Sequence, residues 1–199
     1  MDEYAVGRVI TGFSKPYVAN YTNSGGTNTY TNGKVLARGV SVSIAPNDAG
    51  DDNVFYADNI AAETQSGRFT GGELTLTVDG LFLEAERMIN GLPAAGEDGW
   101  TADGDSSESP YLSVAFIVRY MSNGKTIYTP YVIPKTKFAK PELSAETQDG
   151  DEINWQTQEL TAQIMRDDTN AHNWRYIGTD VATEEAAEAA IRTFLGISA

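Results

Sequence analysis

Residues 35–92 read VLARGVSVSIAPNDAGDDNVFYADNIAAETQSGRFTGGELTLTVDGLFLEAERMINGL, and two different periodicities meet inside this one stretch. Leu36, Val40, Val42 and Ile44 fall on one face and Ser41 and Ser43 on the other; Leu74, Leu76 and Val78 repeat the alternation against Glu73, Thr75 and Thr77. A period of two marks half-buried strands. After Asp79-Gly80 the period lengthens, and Leu81, Ala85, Met88 and Ile89 share a helical stripe. Glu84 and Glu86 stand early, Arg87 late and Gly91 just past the end, which predicts an amphipathic helix over Leu81 to Asn90. Leu92 is placed to make the apolar contact that accompanies a glycine stop, and Pro93 discourages continuation.

Working outward, Tyr4 to Thr11 and Pro16 to Tyr21 read as short strands, followed by a polar loop or hairpin arm over Thr22 to Lys34. Ala94 to Pro110, AAGEDGWTADGDSSESP, holds five carboxylates, three glycines and no basic residue, so it builds no core. Leu112, Val114, Phe116, Val118 and Tyr120 alternate up to Asn123-Gly124, and Thr126 to Ile133 is again rich in β-branched and aromatic residues. Asn-Gly between two such runs predicts a tight hairpin. Pro130 lacks a ladder donor and predicts an edge position or a bulge for the returning strand.

Lys135 to Asn154 reads as a linker or long loop. Gln156 to Met165 alternates, with Leu160, Ala162 and Ile164 opposed by Thr157, Glu159, Thr161 and Gln163, and Asn173 to Gly178 adds a further strand. Thr183 caps a terminal helix running to about Leu195, with Glu184 and Glu185 at its positive end, Arg192 near its negative end, and Ala187, Ile191, Phe194 and Leu195 as its apolar stripe. The sum is a mainly β fold, an antiparallel sandwich or partly open barrel with a central and a C-terminal helix.

Composition bounds the rest. A chain of 199 residues suits a single domain over residues 1–199 with long arms at about 22–34, 94–110 and 135–154. Such a domain buries roughly 70% of its unfolded surface. With no cysteine, neither disulfides nor thiolate metal sites contribute, and stability is expected from packing or assembly. Met1 to Thr11 carries no secretory signal pattern and no apolar run approaches 18 residues. Fourteen basic against 28 acidic residues leave a net charge of −14, which opposes tight nucleic-acid binding. The basic cluster Lys135, Lys137 and Lys140 reads as a solvated arm or subunit contact rather than a DNA site.

Signatures of chemistry are weak. A phosphate-binding loop fails at Gly33-Lys34, where Asn28 replaces the first glycine and Val35 the hydroxyl residue. Gly12-Phe13-Ser14-Lys15-Pro16 fails as a nucleophile elbow because it ends in proline. The single histidine, His172, sits among turn residues and reads as an exposed loop side chain. The pairs Asp51/Asp52, Asp103/Asp105 and Asp167/Asp168 all fall in polar turns, not in the apolar setting that separates two carboxyl pKa values. Asp103-Gly104-Asp105-Ser106-Ser107-Glu108 offers alternating oxygen ligands for calcium, but the EF-hand spacing fails at Glu108 and Val114, and an acidic loop is the plainer reading. Trp100, Trp155, Trp174 and ten tyrosines allow a sugar-stacking face, weighed against core packing and subunit contacts. No catalytic residue, metal site or cofactor is expected.

The segments Gly39 to Asn47 (GVSVSIAPN), Phe55-Tyr56-Ala57-Asp58-Asn59 with Ala62-Glu63-Thr64, and Gly72 to Glu84 (GELTLTVDGLFLE) together resemble the major tail proteins of long-tailed, non-contractile bacteriophages. The resemblance covers about the first half of the chain. It implies the same mainly β architecture, six copies in a ring, rings stacked into the tail tube, and an inner β-barrel around the channel through which the genome leaves. It implies as partners other copies of the chain, a tape-measure protein and tail terminator and initiator proteins, with genomic DNA in transit, in a virion tail assembled in the bacterial cytoplasm. It also implies an acidic lumen. The polar strand positions Glu73, Thr75, Thr77, Thr157, Glu159, Thr161 and Gln163 are the candidate channel wall, weighed against an outward solvated face.

Candidate contacts between subunits or rings are Glu97, Asp98, Asp103 and Asp105 in the acidic arm and Lys135, Lys137 and Lys140 in the basic one, with the two arms expected to meet across rings. The alternatives are a tube subunit of a related injection machine such as the type VI secretion tube, and a monomeric sugar- or calcium-binding sandwich.

Overall fold

The computed structural model describes residues 7–48, 53–57, 60–65, 68–148 and 155–197. Ten strands and two helices follow in order: β1 Val9–Ser24, β2 Thr27–Val35, β3 Gly39–Asp48, β4 Asn53–Ala57, β5 Ile60–Gln65, β6 Phe69–Val78, α1 Leu83–Asn90, β7 Tyr111–Ser122, β8 Lys125–Phe138, β9 Gln158–Met165, β10 Tyr176–Ile177 and α2 Glu184–Phe194. One antiparallel sheet runs β2-β1-β7-β8-β9-β6-β3 with β10 added to β8, while β4 and β5 pair only with each other. The mainly β class with one central and one C-terminal helix is therefore as the sequence predicts.

The sheet curls around one core. Leu74, Leu76 and Val78 of β6, Leu112, Val114 and Phe116 of β7, Ile133 of β8, and Leu160 and Ile164 of β9 are buried together with Ala85 and Ile89 of α1. The curl brings β1 toward β3: the Leu36 amide donates to the Pro16 carbonyl at 2.8 Å, and Gly39 lies against the Phe13 ring. The outer face of β7 and β8 is covered by α2, whose Ala187, Ile191 and Leu195 pack on Tyr17, Ala115, Ile117 and Val132. Strand β7 is thus buried on both faces, and full burial of each large aliphatic side chain stabilises by roughly 1.5–3 kcal/mol.

Local chemistry explains the junctions. Asn123 and Gly124 have φ of 51° and 74° between Ser122 and Lys125, which face each other in register. That is the two-residue turn whose twist matches its strands. Gly91 takes φ 64° at the end of α1, with its amide and that of Leu92 both donating to the Arg87 carbonyl. Thr183 accepts a hydrogen bond from the Ala186 amide at 3.2 Å and caps α2.

Several expectations are corrected. Helix α1 begins at Leu83, two residues late, with Phe82 at its N-cap and no side-chain cap; the Asp79 carboxylate accepts the Arg38 amide at 2.9 Å. The two N-terminal strands are one, β1, with register shifts around Thr11 and at Lys15-Pro16, where Lys15 has φ 52°. These bulges absorb Pro16 without ending the strand. The first part of the Tyr4 to Thr11 expectation, residues 4–6, lies outside the described residues. The polar stretch from Thr22 to Lys34, expected as a loop or a hairpin arm, is a hairpin: it turns at Gly25-Gly26 and returns as β2, the outer edge of the sheet.

Val40, assigned to the apolar face, is 55% exposed, since the register of β3 shifts between Gly39 and Ser41. The Pro130 strand is flanked on both sides, by β7 and by β9 and β10; the Pro130 carbonyl accepts the Gly178 amide at 2.8 Å, and proline has no N–H to return that bond. Lys135 to Phe138 belongs to β8, which shortens the expected third arm at its start, while residues 149–154 of that arm lie outside the described residues, as do Asp51/Asp52, Asp58 and Asn59.

Candidate functional site

Strands β6 and β9 pair without a shift, so their side chains stand in rows. Glu73 faces Gln163, Thr75 faces Thr161, and Thr77 faces Glu159. The next strand continues each row: Ser41 lies beside Thr77 and donates to its Oγ1 at 3.0 Å, Ser43 lies beside Thr75, and Ala45 beside Glu73. Lys137 of β8 extends the Gln163 row on the other side. Six of the seven residues proposed from the sequence for one polar wall therefore form a single in-register polar face, backed by the buried Leu74, Leu76, Leu160 and Ala162. Thr157 is the exception: it is exposed and precedes β9, which begins at Gln158.

The acidic and basic arms meet within one chain. Lys137 donates to Glu108 at 2.8 Å and Lys140 to Asp103 at 2.8 Å. The Lys140 ammonium holds the Asp103 carboxyl below its ordinary value, the Lys137 ammonium does the same for Glu108, and Glu108 in turn raises Lys137. Lys135 is different: its side chain is 13% exposed, bonded to Asp168 at 2.7 Å and set between the rings of Tyr21 and Tyr111 at 5.5 and 4.7 Å. It is a structural pin, not a member of a solvated basic patch. The Asp103 carboxylate, first in the calcium alternative, is turned to Lys140, and Glu97, Asp98 and Asp105 meet no basic side chain among the described residues.

The Asp167/Asp168 pair lies in the polar turn after β9, as expected; Asp168 is exposed there, but Asp167 is buried. Asp167 is 1% exposed and accepts from the Asn28 amide at 2.9 Å, the Tyr176 hydroxyl at 3.0 Å, the Thr169 hydroxyl at 2.7 Å and the Asn173 amide at 2.9 Å. Burial by itself raises a carboxyl pKa, but the bonds from Thr169, Tyr176 and Asn28 outweigh it and leave Asp167 below the usual value. Asp168 is held low chiefly by Lys135. This cluster fastens the turn after β9 to the β1–β2 hairpin. Thr and Asn two and six residues after Asp167 were a legible local sign; Asn28 was not.

His172 is exposed, in a turn at φ 52°. Trp174 stacks on Phe69 with centroids 4.6 Å apart, whereas Trp100 and Trp155 are 79% and 85% exposed, so two of the three tryptophans are not core residues. No protein-family model matches the chain, and no curated protein matches it.

Proposed function

We propose that this chain is a structural, ring-forming subunit of a phage-type tail tube, a conduit for DNA, and that the polar face of β3, β6 and β9 lines its channel. The observation that carries the reading is the in-register run of Ser41, Thr77 and Glu159, Ser43, Thr75 and Thr161, and Glu73 with Gln163 across three adjacent strands. A wall for passing DNA needs hydroxyls, amides and carboxylates without a cationic stripe, because lysine and arginine hold phosphate. Lys137 and Lys140, which border this face, are neutralised by Glu108 and Asp103. Six copies of a chain of net charge −14 carry −84, which keeps DNA from sticking in transit.

Ring formation accounts for the sheet edges. β3 and β2 end the main sheet, and an unpaired edge invites association unless a neighbour covers it. A head-to-tail contact repeated by rotation closes into a ring and removes such edges. Negative-stain electron microscopy of the concentrated protein tests the reading. Stacked rings with a central channel are expected; filaments without a channel, or an isolated ligand-binding monomer, would overturn it.

A further inference from the structure

Strand β7 separates two ends of the molecule that carry opposite surfaces. Its first residue, Tyr111, follows the acidic loop directly, and its last, Ser122, opens the Asn123-Gly124 turn. Twelve residues of strand put these ends roughly 36 Å apart. At the first end the loop exposes Trp100 at 79% together with Glu97, Asp98 and Asp105. Three cations reach this loop: Lys137 and Lys140 are taken by Glu108 and Asp103, and Arg87 donates to the Thr101 hydroxyl, so the other three carboxylates meet no basic side chain among the described residues.

The second end is basic and apolar. Val9 and Ile10 of β1 are 67% and 66% exposed, and Met121, which faces Val9 across the ladder, is 46% exposed. Arg119 and Lys125 flank them; the Arg119 guanidinium donates to the Thr11 carbonyl at 2.9 Å, and neither cation meets a carboxylate among the described residues. Arg8 is already bonded to Asp180.

The geometry points to a head-to-tail contact between copies of this chain, in which the Trp100 loop of one copy docks on the Val9 and Met121 end of the next, and Glu97 and Asp105 meet Arg119 and Lys125. This deepens the tube reading, on which it rests for its partner, by naming the surfaces that stack. Two acidic ends repel and two basic ends repel, so only unlike ends fit, and a contact between unlike surfaces propagates along an axis. A tryptophan and an arginine at its centre are the side chains that most often dominate such interfaces. The arrangement also differs from the expected meeting of acidic and basic arms across rings, since Lys137 and Lys140 pair with Glu108 and Asp103 within one subunit.

Charge reversal at each end, read by sedimentation velocity on the full chain, is the test. One variant carries Glu97→Lys with Asp105→Lys, the other Arg119→Glu with Lys125→Glu, and thermal melting verifies that each is folded; Trp100→Ala, on an exposed loop, serves as a third. Each variant alone is expected to weaken self-association at least roughly tenfold, and a one-to-one mixture of the two reversed proteins to restore it. Net charge does not explain a loss in the first variant, because its copies repel each other less than wild-type copies do. Unchanged association in the variants, a mixture that does not recover, or a wild-type protein that stays monomeric at every concentration overturns the proposal. Rings that stack normally in both variants keep the tube reading and sink this contact. Restored head-to-tail chains that never close into rings do the reverse.

Discussion

Asp167 and Asn28 are 139 positions apart in the chain and 2.9 Å apart in space, with the asparagine amide donating to a carboxylate that is 1% exposed. That bond, with those between Tyr21 and Asp168, ties the turn after β9 to the first hairpin, and the Tyr176 hydroxyl ties it to β10. Asp167→Ala leaves several buried donors without an acceptor and is expected to cost about 3 kcal/mol, read by urea or thermal unfolding. The pH dependence follows from the same bonds. The folded pKa of Asp167 lies below the unfolded value of about 3.9, so its stabilisation is present above that value and is lost as the pH falls through the folded pKa. The wild type should lose stability in that acid window more steeply than Asp167→Ala, and parallel pH profiles would remove the argument.

Gly39 closes the seam between β1 and β3 because its Cα lies against the Phe13 ring, which is itself held edge-on to Phe116 with centroids 5.6 Å apart. A methyl group at Gly39 has no room unless Phe13 leaves its place. Gly39→Ala is expected to destabilise by about 1–3 kcal/mol with a lower thermal midpoint. A midpoint equal to that of the wild type would mean the seam is loose.

The Thr183 hydroxyl holds the first turn of the helix that covers the outer faces of β7 and β8. Thr183→Ala should lower stability by about 1 kcal/mol, while Thr183→Ser should be nearly neutral. Equal losses in both would assign the effect to side-chain packing instead of capping. Far-ultraviolet circular dichroism with thermal melts reads the difference.

Glu159 stands in the row formed with Thr77 and Ser41 on the proposed channel wall. Glu159→Lys places a phosphate-binding cation there and is expected to slow or stall genome ejection without blocking tube assembly. Normal ejection kinetics through variant tubes would take Glu159 out of the lumen.

The sequence by itself determined the elements that depend on neighbours along the chain. Period two in β6 and β9, the Asn123-Gly124 turn, the Gly91 stop and the Thr183 cap were legible because strand faces, left-handed turns and helix ends are governed by residues within a few positions, whereas β7, read as alternating, is buried on both faces. The polar wall was legible as residue types for the same reason, though the start of β9 after Thr157 was not.

Only the tertiary structure decided what those elements meet. Register joined Glu73 to Gln163 and Thr77 to Glu159, the curl of the sheet set Gly39 under Phe13, and chain return placed Lys140 on Asp103 and Asn28 on Asp167. Such pairings come from loop closure and core packing over long separations, which favour one partner among many of the same chemical type and leave no mark in local periodicity.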